Sequence, residues 1–178
     1  MCGALARSLK IKQGFNLSCL LERIDRFHNG EKEFLEDYRD AFSISGGEPT
    51  LSPHFITIVK KINDYFPGIR IVCFSNGRMF SYRDYAKEFL RLNTNLELVV
   101  SVHGHNAEIH DQITRVIGSF SQTIRGIKNI CQLKKPHHLV EIRVVIHRLN
   151  YKFLTEITKF IKKEFPKTDR LVYIFFEI

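Results

Sequence analysis

Hydrophobic and polar positions follow two alternating periods along this chain. Runs rich in β-branched and aromatic residues recur at 41–45, 69–74, 96–102, 140–146 and 171–176, most of them bounded by Gly, Asn or Pro. Such short apolar runs predict buried strands. Between them the apolar residues are spaced as on one face of a helix. Phe55, Ile58, Val59 and Ile62 stop before Pro67-Gly68, and Tyr85, Phe89 and Leu92 stop before Asn93. Ser119 is placed to cap a helix carrying Phe120, Ile124, Ile127 and Ile130, and Leu154, Ile157 and Ile161 run on towards Pro166, where a helix should end. Upstream, Leu20, Leu21, Ile24 and Phe27, then Phe34, Leu35 and Tyr38, predict two short helices. Strand and helix at this cadence predict βαβ units and a parallel sheet, so residues 1–178 read as one α/β domain. No linker, solenoid repeat or low-complexity segment interrupts it.

The residues out of keeping with a plain core fall just after the strands. Gly46-Gly47-Glu48-Pro49 follows the first, Ser75-Asn76-Gly77 the second, His103-Gly104-His105-Asn106 the third and His147-Arg148-Leu149-Asn150 the fourth. Parallel α/β sheets place their sites at the carboxyl ends of the strands, so four such loops on one rim predict a ligand site.

Composition changes this picture little. The 178 residues are 44% apolar and 26% charged, the ordinary range for a globular domain with a core. No run approaches the roughly 20 apolar residues of a membrane span, and the N-terminus lacks a secretory pattern, so a cytoplasmic protein is expected. The net charge of +8 is scattered rather than gathered in a block, which reads as a solvated basic surface more than as a nucleic-acid footprint. The four cysteines, Cys2, Cys19, Cys73 and Cys131, show no paired spacing; Cys73 on a strand and Cys131 on a helix stripe read as small core residues. His103, His105 and His110 lack a carboxylate or cysteine at a supporting spacing, so they do not predict a metal centre.

Residues 44–51, Ile-Ser-Gly-Gly-Glu-Pro-Thr-Leu, form the most specific string. Two glycines after a buried strand either make a plain turn or bring backbone groups close to a ligand, with the Glu48 carboxylate beside them. This string resembles the GGEP motif of the radical S-adenosylmethionine (SAM) superfamily. The segment from Ser101 through His103-Gly104 to His110-Asp111 is similar to that superfamily too, as are Arg115 with Gly118-Ser119-Phe120, the run Gly126-Ile127-Lys128-Asn129, and the strand that ends near Val145 and Asn150. The resemblance spans about residues 41–165.

What it implies is a partial TIM-like (β/α) barrel of parallel strands, with the first strand missing, that binds SAM. Gly46, Gly47 and Glu48, with Pro49 fixing the exit, would meet the SAM amino group. Ser101, followed by His103, would approach the ribose, and Val145 the adenine, while Ser75 and Asn76 would reach SAM or substrate. Arg115 would either take the SAM carboxylate or pair with Asp111 at i,i+4. His110 and Asp111 would fix the loop or cap the helix beyond it.

The family's chemistry also needs a [4Fe–4S] cluster held by C-x-x-x-C-x-x-C, and no such triplet is present. Cys2 is expected to be its last cysteine and Met1 an internal methionine, so cysteines should be encoded three and seven residues before Cys2. The chain is thus expected to be incomplete at its N-terminus, and also beyond its last strand, and inactive alone. The intact protein would cleave SAM reductively to a 5′-deoxyadenosyl radical, drawing on an external electron donor, and act on a peptide, a cofactor precursor or RNA. The alternative is a degenerate, non-catalytic module that binds a ligand or partner.

Overall fold

A computed structural model describes residues 17–30, 41–92 and 95–175. The helix predicted at Phe34, Leu35 and Tyr38, and the ligand predicted at Cys2, lie outside these residues. Five strands, β1 (Ala41–Ile44), β2 (Arg70–Ser75), β3 (Asn95–Ser101), β4 (Leu139–Val145) and β5 (Arg170–Ile174), form one sheet. Every neighbouring pair is parallel and the spatial order equals the chain order. The helices are α1 (Leu17–His28), α2 (Phe55–Tyr65), α3 (Arg83–Leu90), α4 (Ala107–Thr114), α5 (Ser119–Leu133) and α6 (Leu154–Glu164). An unreversed order of parallel strands joined by helices is the winding of a (β/α) barrel; here the sheet stays open, a partial barrel. No described helix is long and apolar enough to cross a membrane.

The pleat explains how the two faces differ. Ile71 and Cys73, Leu96, Leu98 and Val100, and Val140, Ile142 and Val144 alternate on one face and join one core with Ile58, Val59, Phe89, Ile127 and Ile157 of the helices. Phe89 is fully buried and stacks on Phe55 at 5.3 Å; truncating such a core ring to Ala costs about 3–5 kcal/mol. Cys73 is fully buried in this core, as its strand position predicts, and Cys131 packs against it.

The opposite face carries charge. Glu97 and Glu141 are only 6% and 4% exposed. Glu97 takes Arg70 at 3.4 Å and Arg170 at 3.0 Å, Arg170 reaches Glu141 at 3.7 Å, and Arg143 donates from Nε to Glu141 at 2.8 Å. A buried carboxylate persists only when paired, and this ladder pairs both across β2, β3, β4 and β5.

Candidate functional site: the carboxyl edge of the sheet

Because all five strands run the same way, the loops after them meet at one edge. They surround a cavity of about 620 Å3, within the range of small-molecule sites. Gly46, Gly47 and Glu48 line it from the β1 loop, Ser75 and Asn76 from β2, Ser101 and His103 from β3, and Val145 from β4. Three of the loops picked out in the sequence therefore share one space with the end of β4, while the loop at 147–150 lies outside the lining.

Specific side chains hold the loops in register. Glu48 ties the first two: its carboxylate accepts from Thr50 N at 3.2 Å, Thr50 Oγ1, Ser75 Oγ at 2.8 Å and Asn76 N at 2.6 Å. Gly46 beside it has φ +143°, a conformation that side chains resist. Helix α5 then locks the second loop. A Cβ on Gly126 would sit 2.1 Å from the Gly77 carbonyl oxygen, so only glycine lets the helix approach that closely. One turn on, Asn129 Nδ2 donates to the carbonyls of Phe80 and Ser81 at 2.9 and 3.2 Å.

The third and fourth loops are joined in the same way. Asn150, fully buried, donates from Nδ2 to the carbonyls of His103 and Val145, both at 3.0 Å, and accepts from His147 N at 2.7 Å. His103 N donates to His110 Nδ1 at 3.2 Å, which leaves the proton of a neutral His110 on Nε2. Burial, reinforced by the neighbouring histidine, pushes His103 down to about 3, and burial pushes His110 down to about 4. Both imidazoles are therefore neutral in the cavity wall at physiological pH.

Asp111 performs the capping, on a different helix from its own. It accepts from Gly118 N at 2.7 Å, Ser119 Oγ at 2.8 Å and Phe120 N at 2.7 Å, satisfying the free donors at the start of α5. Burial raises this carboxyl, but the bonds from Phe120, Ser119 and Gly118 outweigh it and hold Asp111 below the ordinary range.

Arg115, Ser119 and Pro49 take the following places. Arg115 does not line the cavity; it is the exposed left-handed residue that ends α4, with φ 59°. The ion pair with Asp111 is not formed either, since that carboxylate serves the start of α5. Ser119 is the first residue of α5 rather than its cap, and donates to Asp111. Pro49 opens a 3-10 turn at Pro49–Leu51, outside the cavity lining. The arginines that do line the cavity are Arg78 and Arg143. Arg78 stands one residue past Asn76-Gly77, and Arg143 faces inward two residues before Val145, a periodicity that was available in the sequence. Among the described residues no three His, Cys, Asp or Glu side chains converge as a metal site.

A family model for the radical SAM superfamily matches residues 23–161. The chain belongs to the radical SAM superfamily. It is similar to an AdoMet-dependent heme synthase of Methanosarcina barkeri, 34% identical over 116 residues, which make up 65% of this chain and 30% of that protein. Among solved structures it resembles anSMEcpe with bound AdoMet, at TM-score 0.70 and 20% identity over 95% of this chain and 45% of that one. It also resembles Streptococcus suis SuiB bound to the precursor peptide SuiA, at TM-score 0.69 and 18% identity over 93% of this chain and 34% of that one. These structural likenesses carry the fold, and the partial radical SAM barrel agrees with them. The chain spans less than half the length of each of these proteins.

Proposed function

We propose that the cavity at the carboxyl edge binds SAM, and that the chain forms the SAM-holding part of a radical SAM enzyme. The convergence of the β1, β2 and β3 loops with the end of β4 on one space carries this reading. The exposed backbone of Ser45, Gly46 and Gly47 offers acceptors for the ammonium, since the Glu48 carboxylate is already taken by Thr50, Ser75 and Asn76. Ser101 supplies a hydroxyl for the ribose, and Val145 with Ile174 supplies an apolar wall for adenine.

A [4Fe–4S] cluster, in this family, supplies the electron that cleaves SAM. The described cysteines do not fit that group. Cys73 is buried in the core with its thiol pushed far up by burial, Cys131 lies on α5 with its thiol raised to about 11, and Cys19 is on α1. Cys2, outside the described residues, is the proposed ligand. What the described residues do is orient SAM and shield it from water. The finer reaction, hydrogen abstraction from a substrate, is proposed on the same footing.

Isothermal titration of the full chain with SAM and with ATP tests the binding step. SAM is expected to bind, and ATP to bind at least tenfold more weakly because its triphosphate lacks the ammonium. Absence of SAM binding, or equal affinity for the two, overturns the reading.

A further inference from the structure

The cavity wall presents guanidinium donors that SAM binding at the glycine loop leaves unused. Its lining includes two guanidinium groups, Arg78 and Arg143, and one carboxylate, Glu48. Glu48 is engaged by Thr50, Ser75 and Asn76, and it forms no ion pair with either arginine among the described residues. Beneath the cavity, Arg70 and Arg170 balance Glu97 and Glu141, and Arg143 joins this ladder through Glu141.

Arg143 is also the member of that ladder built to point somewhere. Nε and Nη2 are both held by Glu141 Oε1, and the guanidinium lies over the Phe74 ring at 4.9 Å. One edge and one face are thereby fixed, which removes most of the rotational freedom that an exposed arginine would lose on binding. Among the described residues, Nη1 has no acceptor. Its side chain is 22% exposed, to the cavity, and stands level with Ser101 in the β3–β4 register. Arg78 is similarly half-held: Nε donates to Gln122 at 2.6 Å, leaving the Nη pair open at the wall.

We propose that Arg143, aided by Arg78, forms a carboxylate-recognition subsite for the substrate, so the substrate is an anionic molecule presenting a carboxylate to the cavity floor. The inference rests on the SAM reading for the division of labour, in which the amino-acid end of SAM belongs to the β1 loop. A guanidinium with a free, pre-oriented edge matches a carboxylate in shape and charge.

The test uses the full chain and two probe pairs in NMR-detected titrations. Succinate against succinamide reports a substrate carboxylate, and S-adenosylhomocysteine against 5′-methylthioadenosine reports the amino-acid end of SAM. Succinate is expected to bind and succinamide not to. Arg143→Met should weaken succinate at least tenfold while changing S-adenosylhomocysteine less than twofold. Arg143→Lys, which keeps the charge without the fork, should fall between. Thermal melting of each variant reports folding, and Arg78→Met, away from the ladder, provides an independent loss of succinate affinity. Unchanged succinate binding in folded Arg143→Met overturns the proposal. So does a tenfold loss of S-adenosylhomocysteine with 5′-methylthioadenosine unaffected, which would give Arg143 to the SAM carboxylate. Failure of S-adenosylhomocysteine to bind the unmodified chain would instead remove the SAM reading and leave the succinate result standing.

Discussion

Replacing Glu48 by Gln separates a ligand role from a structural one. The carboxylate accepts from Asn76 N at 2.6 Å through Oε2, and from Thr50 and Ser75 through Oε1. Gln keeps one oxygen, which can serve Thr50 and Ser75, but turns its NH2 group against the Asn76 N–H. One charge-assisted bond is lost, worth about 1.5–3 kcal/mol, and a donor is left facing a donor. The site is only partly buried, so water relieves some of that cost, and a destabilisation of about 2 kcal/mol is expected. Urea unfolding of the full chain measures it as a lower midpoint with an unchanged slope. Amide exchange reads the same event locally: 2 kcal/mol speeds exchange at Asn76 by roughly 30-fold. An unchanged midpoint together with unchanged exchange at Asn76 would refute the clamp and return Glu48 to the ligand.

Other perturbations test the same framework. Because His103 and His110 sit at about 3 and about 4 when folded, below their ordinary value near 6.5, the unfolded chain binds more protons. Stability is therefore complete above about pH 6.5 and falls as pH drops towards 4, by up to roughly 1.4 kcal/mol per pH unit for each histidine. Thermal melts from pH 7 to 4.5 should show this slope, and His110→Gln should reduce it by about half. Gly126→Ala drives a Cβ to 2.1 Å from the Gly77 carbonyl, and should cost about 2–3 kcal/mol in the urea midpoint. Asp111→Ala strips three donors at the start of α5 of their acceptor, and should cost about 1–2 kcal/mol with faster exchange at Phe120.

Periodicity made the sheet legible. The runs at 69–74 and 140–146 lie within one residue of β2 and β4, because strands buried against helices on one face need apolar residues at every second position. The charged alternates Glu97, Glu141 and Arg143 are also visible in the pattern, but nothing in one sequence says that they pair across strands. The short α4 carries little pattern of its own in the sequence; Asn106 caps it by accepting from Ile109 N at 3.0 Å. Position at a strand's end suffices for Gly46, Ser75 and His103, since the parallel fold delivers such positions to one edge, whereas Ser101 and Val145 follow from the family resemblance. Arg115 too follows only from the resemblance, and its position is set by where α4 stops. Motif residues such as Gly126 and Asn129 stand out as a string, yet their work, packing α5 against the β2 loop, appears only in three dimensions.

The central claim is that one molecule of SAM lies across the carboxyl ends of four strands. Backbone amide mapping by 15N–1H correlation spectroscopy during a SAM titration of the full chain measures this most directly. Shifts are expected together at Gly46, Gly47, Asn76, Ser101 and Val145, saturating along one binding curve. Shifts confined to a single loop, or clustered at the opposite edge near Lys134 and Asp169, would contradict it.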